Sequence, residues 1–298
     1  MGSSAVLIPP APVGSAPEGL PRYSLKLSTD ADEIEAVQRL RADVFANEPG
    51  FAGAADSFVD GKDADAYDEH CEHLLVWEEN AQEVVGCYRL LPPPSVIVMG
   101  GLYTAGEFEL SSIDPLRPQT VEVGRACVRA EHRCGSVLAL MWAGILAYLD
   151  RTGYEYLVGC VSVPIQEAPE DVPGSHVRGI RDEVLAKNAS EYRVYPHRPV
   201  VLDGVALDEI PAPAKVKSPP LIRGYQRIGA KFCGEPAHDP VFGVADFAVL
   251  LALRDANRRY LDRLRSAAQV AESRSAATSP LEQPRSAAAS PSEQPRQR

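Results

Sequence analysis

Three consecutive stretches near the middle of the chain restrict its fold more than any other feature: "TVEVGRACV" from residue 120, "SVLALMWAGILAYLDRTG" from 136 and "YEYLVGCVSVP" from 154. The first and third are β-rich, the third ended by Pro164. The strongly apolar middle stretch, closed by Gly153, has the composition and stop signal of a helix. Strand, helix and strand in that order imply two parallel neighbours joined by a right-handed crossover. Upstream, "DADEIEAVQRLRADVFANE" sets Ile34, Val37, Leu40, Arg41, Val44 and Phe45 at recurring spacings of three and four, an amphipathic helix with Arg41 and Phe45 one turn apart on one face. "HLLVWEE" and "EVVGCYRLLPP", separated by "NAQ", read as a hairpin. "VFGVADFAVLLAL" adds a late strand to the same sheet, and "RDANRRYLDRLRSAAQVAE" reads as a surface helix. The expected fold is mixed α/β, built on a mixed sheet.

Both ends fall outside that pattern. Residues 1–21 are rich in Pro, Gly, Ala and Ser, and from 266 the chain repeats itself as "SPLEQPR" and "SPSEQPR". Such segments bury too little apolar surface to offset their ordering entropy, so 1–21 and 266–298 are expected to be disordered around a folded domain of 22–265. No basic stretch followed by a long apolar core marks a secretory leader. The longest apolar run, Val137 to Leu149, is well short of the roughly 20 residues of a membrane span. A cytoplasmic protein is expected, with peripheral contact at the inner face of the membrane as a further option.

Six cysteines without a CxxC pair or a histidine grouping suggest neither a zinc site nor a disulfide framework. A net charge of −11 argues against nucleic acid as a partner. The charge is unevenly spread. Asp30 to Glu79 holds fifteen acidic residues against three basic ones, whereas Lys215 to Lys231 holds five basic residues and no acid. Two solvated faces would account for this; so would a cationic small substrate near the first segment and an acidic partner near the second.

The central strand carries Glu122 and Arg125, three residues apart, and so on opposite faces of a regular strand. Gly124 between them signals a bulge, which changes that parity and turns both toward one cleft. The pair is then either a structural ion pair or a site in which burial raises the glutamate toward use as a general base. Just beyond, "RAEHRCGSV" leads into the apolar helix, a glycine-containing loop at a helix N-terminus with Arg129, His132 and Arg133 beside it, suited to a phosphate.

The strand, basic loop, helix and strand resemble the acyl-donor unit of the GNAT superfamily, with Gly135 retained from its usual loop pattern and His132 and Val137 departing from it. "RLRADVF", "DAYDEHCEHLLV", "EVVGCYRLLP", "VEVGRACVRAEHRCGS", "LVGCVSVP" and "PPLIRGYQRIGAKFCGEPAHDPVFGVADFAVLL" further resemble, in order, segments of the ornithine-acyl carrier protein N-acyltransferases, relatives of the acyl-homoserine-lactone synthases. The resemblance implies a GNAT-like fold and transfer of a long-chain acyl group from an acyl carrier protein or coenzyme A thioester to the α-amine of an amino acid such as ornithine. It needs no tightly bound cofactor and no metal. Glu122 and Arg125 are then the catalytic pair. Arg41, Phe45, Asp65, Asp68 and Arg89 bind the acceptor, with the two aspartates pairing with a cationic side chain. Ala126, Cys127, Arg129, His132, Arg133, Gly135 and Ser136 bind the acyl donor, with the amides of Ala126 and Cys127 as candidates for the oxyanion. The implied partners are an acyl carrier protein and an amino-acid acceptor. The tryptophan of the lactone-synthase pattern has no counterpart here; Phe51 is the nearest aromatic. The alternatives are an autoinducer synthase of the lactone-forming type and a non-enzymatic acyl-lipid-binding protein.

Overall fold

The computed structural model describes residues 2–11, 20–48, 51, 58–133 and 135–266. Its centre is a nine-stranded sheet. Chain order gives β1 (Ser4–Ile8), β2 (Tyr23–Ser28), β3 (Glu72–Glu78), β4 (Glu83–Leu91), β6 (Thr120–Val128), β7 (Tyr156–Pro164), β11 (Lys231–Phe232), β12 (Ala237–Asp239) and β13 (Val244–Ala252). The spatial order is β1-β2-β3-β4-β6-β7-β13-β11, with β12 also paired to β13. Two short pairs lie apart from it: β5 (Phe108–Glu109) with β8 (Tyr195–Pro196), and β9 (Val201–Leu202) with β10 (Val205–Ala206). The helices are α1 (Ala31–Ala46), α2 (Pro93–Met99), α3 (Ser136–Thr152), α4 (Ser175–Asn188) and α5 (Pro220–Ile228).

The unit expected at the centre is present. β6 and β7 are parallel, joined through α3, which ends at Gly153 in the left-handed conformation. β3 and β4 form the antiparallel hairpin, and β13 runs antiparallel to β7 over its full length. The helix after β13 is seen over 258–266. Residues 4–8, assigned to a disordered end from their composition, instead form edge strand β1 against β2. Exposure falls along the strand to Ile8, which is 1 % exposed and joins the main core, an apolar contact that composition averaging over 21 residues conceals. The repeats from 267 onward lie outside the described residues.

The sheet separates two apolar layers. Side chains alternate across it, so Leu74 and Tyr88 pack with Met141 and Ile145 of α3, while Leu75, Cys87 and Cys127 pack with Val37, Leu40 and Val44 of α1. α3 approaches closely because it carries Gly144: a Cβ there would stand 2.3 Å from the Leu25 side chain. Asp30 caps α1, its carboxylate accepting from the amides of Asp32 and Glu33. Among the described residues no helix is long and apolar enough to cross a membrane.

Candidate active site

β6 and β7 pair only over Thr120–Glu122 and Tyr156–Val158, then part. The separation begins at Gly159, where a Cβ would lie 2.1 Å from the carbonyl oxygen of Val123, so glycine is required for the strands to pass this close before diverging. On its other side β6 pairs with β4, and there the register steps: Arg89 opposes Gly124, yet Cys87 opposes Cys127. One residue on β4 thus faces two on β6, and Arg125 takes the left-handed conformation at φ 51°. The bulge expected at Gly124 sits one residue later. Its effect on parity is the expected one, since Glu122 and Arg125 both line the cavity that opens between the parting strands.

That cavity measures about 970 Å³. Val123, Leu138, Met141, Val161 and Tyr225 make an apolar wall; His132, Arg133 and Gly135 before α3, Lys217 before α5 and Arg223 within α5 stand along it. Glu122, 5 % exposed, accepts hydrogen bonds from the amides of Tyr103 (2.6 Å) and Thr104 (2.7 Å) and from the Thr104 hydroxyl. Burial raises its carboxyl above the ordinary range, partly opposed by the Thr104 and Tyr103 donors and by Arg89.

Behind this wall lies a buried ionic network. Arg41, 1 % exposed, reaches both oxygens of Asp68 (3.0 and 2.6 Å) and Oδ2 of Asp63 (3.0 Å). One nitrogen of Arg89 contacts Asp65 (2.6 Å) and Asp68 (2.9 Å), and Arg125 contacts Asp63 (3.1 Å) and Asp65 (3.5 Å). Burial works against the charge on Asp68, but hydrogen bonds from Arg41 and the charges of Arg41 and Arg89 hold its carboxyl far below the ordinary range.

Of the residues singled out in the sequence, Phe45, Arg89, Glu122, Arg125, Ala126, Cys127, His132, Arg133 and Gly135 line the cavity. Arg41, Asp65 and Asp68 do not. They form an arginine-carboxylate network with Arg89 and Arg125, their charges turned to one another and not to the cavity, where they were expected to meet the acceptor. Arg129 also lies off the cavity, paired with Asp43 at 2.8 Å, and Arg133 is paired with Glu48 at 2.6 Å. The positive character of that loop is thereby reduced. His132 Nδ1 is 2.7 Å from the Tyr23 hydroxyl, and Ser136 is the first residue of α3. Phe51 stacks on Phe45 at 6.1 Å and meets Phe242 edge-on, building an aromatic corner of the cavity. The Cys127 sulfur is 3.5 Å from that of Cys87; this contact and burial push its thiol up, so it forms wall rather than thiolate.

Among the cavity residues that the sequence reading did not mark out are Tyr103 and Thr104, which hold Glu122, and Glu107, Asp239 and Asp246, which add carboxylates to the lining. Asp246 had a signal, being a lone carboxylate inside the apolar run "VFGVADFAVLLAL". Tyr103, Thr104 and Glu107 come from a segment with no periodicity to mark it.

The GNAT acetyltransferase domain family matches residues 40–143, from the middle of α1 through the hairpin and β6 into α3. An L-ornithine N(alpha)-acyltransferase of Brucella abortus (strain 2308) is 30% identical over 248 residues, covering 80% of this chain and 86% of that protein. The one from Agrobacterium fabrum is 30% identical over 247 residues, 79% of this chain and 83% of that protein. An acyl-homoserine-lactone synthase of Rhizobium radiobacter is 29% identical over 134 residues, 42% of this chain and 60% of that protein. A mixed sheet whose two parallel strands part beside a bulged partner, joined to these matches, leaves one conclusion: the chain is an N-acyltransferase that belongs to the GNAT acyltransferases, related over most of its length to the L-ornithine N(alpha)-acyltransferases and in part to the acyl-homoserine-lactone synthases.

Proposed function

We propose that the protein transfers a long-chain acyl group from the thioester of an acyl carrier protein, or of coenzyme A, to the α-amine of ornithine, as an N-acyl amino acid or lyso-ornithine lipid is made. The observation that carries this reading is the cavity of about 970 Å³ at the parting of β6 and β7. A buried glutamate with a raised carboxyl stands in it beside the apolar wall of Val123, Leu138, Met141, Val161 and Tyr225.

Amino-acid amines are mostly protonated near neutral pH, so attack on a thioester requires a base. Glu122, directly or through a water, takes that proton. The nitrogen then bonds to the thioester carbon. The oxyanion is held by the amide of Ala126 or Cys127 on the bulged strand; as it collapses the C–S bond breaks, and the departing sulfur takes the second proton that the attacking nitrogen sheds, directly or through a water. Arg125 and Arg89, fixed by Asp63, Asp65 and Asp68, are forks suited to the acceptor's carboxylate. Lys217 and Arg223 at the cavity, with Lys215 and Arg227 nearby, are exposed and take part in no salt bridge among the described residues, which suits an acidic carrier protein or an anionic membrane surface.

The test uses palmitoyl thioesters of acyl carrier protein and of coenzyme A with ornithine or glycine, read by mass spectrometry. Acyl-ornithine is expected, made faster from the carrier thioester and slowed by Arg223→Glu with Arg227→Glu at low salt. No N-acyl product from either donor would refute the reading. Product formation that the charge reversals leave untouched would refute the docking surface alone.

A further inference from the structure

The sequence reading gave the acceptor's cation to Asp65 and Asp68, but both are already occupied by Arg89, Arg41 and Arg125. The cavity holds a second set of carboxylates. Glu107 precedes β5, Asp239 ends β12 and Asp246 lies on β13; all three line the cavity, and one oxygen from each falls within 4.8 Å of the others. None of the three is in a salt bridge among the described residues.

Proximity of acids alone would say little, since solvated acidic groups commonly cluster. Two further features concern what is missing from this set. Asp246 is 4 % exposed and makes no salt bridge among the described residues; Arg125 acts on it only from a distance, and the Ser162 hydroxyl, at 2.5 Å, is its donor from β7. Glu107 Oε2 is buried and has no hydrogen-bond donor among the described residues. A buried carboxylate ordinarily has a paired charge or a full set of hydrogen bonds, and here the protein withholds both on the side that faces the cavity. Burial, together with the charges of its two neighbours, accordingly pushes Glu107 up to about 8, with the charge of Arg125 acting the other way.

The spacing identifies the missing partner. Three carboxylate oxygens that all lie within 4.8 Å of one another can be reached together by a single nitrogen, and a primary ammonium has three N–H donors for three oxygens. Three oxygens are half of the shell that magnesium takes, and calcium takes more. Resting on the acyl-transfer reading above, we infer that Glu107, Asp239 and Asp246 form the subsite for the side-chain ammonium of a diamino-acid acceptor, and so set the enzyme's preference for a cationic over an uncharged side chain. The acceptor's carboxylate meets Arg125 or Arg89, its α-amine meets the thioester, and its distal ammonium reaches this set.

Ornithine and norvaline share a five-carbon backbone and differ by the distal amine, so they isolate this contact. Calorimetric binding without donor, and kcat/KM with palmitoyl thioester, are measured for both with the wild-type protein, Asp246→Asn and Glu107→Gln. The wild type is expected to favour ornithine in both readouts, and each substitution is expected to cut the ornithine-to-norvaline ratio by about thirtyfold or more. A ratio unchanged in both variants, or a wild type that treats the two amino acids alike, overturns the subsite. So does turnover that a chelator abolishes and magnesium restores, which would make the set a metal site. Failure to acylate either amino acid counts against acyl transfer itself, and then Asp246-dependent binding of ornithine over norvaline still supports the subsite while its absence overturns it.

Discussion

Replacing Asp246 by Asn should make the protein more stable above neutral pH. The wild-type carboxyl is pushed from 3.8 to about 6, first by burial and then by the charge of Asp239, while Ser162, Arg125 and the hydrogen bond with Glu107 act in the other direction. The groups facing it are Glu107 from the segment before β5, Asp239 from β12, Ser162 and Cys160 from β7, and Arg125 from β6. A folded-state pKa raised above the unfolded one means that the group's stabilising contribution is complete below about 3.8. It is lost as pH rises through about 6. A displacement of about two pH units corresponds to about 3 kcal/mol lost by pH 8. Asn keeps an oxygen for the Ser162 hydroxyl, carries no charge and offers Glu107 a donor, so this loss is removed. At roughly 2–4 °C per kcal/mol for a domain of this size, Tm at pH 8 should rise by about 6–12 °C. Calorimetric melting of both proteins from pH 4 to pH 8 checks the sign and the window: the gap should close as pH falls toward 4. A variant that melts at or below the wild type at pH 8, or a gap independent of pH, would refute the reasoning.

Three further outcomes follow from the same geometry. Glu122→Gln keeps an oxygen for Thr104 but turns an amide toward the Tyr103 N–H, leaving a buried donor unpaired; a loss of about 1–3 kcal/mol in denaturant unfolding is expected, together with loss of turnover. Gly159→Ala drives a Cβ against the Val123 carbonyl; a loss of about 2–3 kcal/mol and a weakened kcat should appear together, because the strands must shift where the cavity opens. Arg41→Met strands Asp68 and Asp63 without their deepest cation and should cost about 3–5 kcal/mol by urea unfolding, the loss shrinking in the double variant Arg41→Met with Asp68→Asn.

The elements that position the site were legible because each had a local cause. α1, α3 and the strands β3, β4, β6, β7 and β13 show their periodicity or β-branched runs, and Gly153 and Pro164 mark two of the ends. The bulge was legible as glycine but displaced, because the extra residue is fixed by cross-strand register, a property of β4 and β6 together. Edge strand β1 was hidden, since a few apolar residues in a Pro- and Gly-rich stretch leave no compositional mark. Site residues were legible where a charge interrupted an apolar run, as at Glu122. The partnership of Arg41 with Asp68 was not legible, because that pairing depends on tertiary approach across 27 positions.

The two acidic sets of this site make that distinction concrete. Asp63, Asp65 and Asp68 lie in the segment with the greatest excess of acid, yet the chain supplies their cations from α1, β4 and β6, and the outcome is a rigid mount for Arg89 and Arg125. Glu107, Asp239 and Asp246 come from distant parts of the sequence, and among the described residues no element packed against them contributes a salt bridge. Carboxylates matched by internal arginines have little left to offer a cationic substrate, whereas those left unmatched destabilise the free protein and are relieved when a cation arrives. The stability expected from Asp246→Asn and the loss of ornithine preference expected from the same substitution are therefore two readings of one uncompensated charge, and they should rise and fall together across the pH range in which Asp246 ionises.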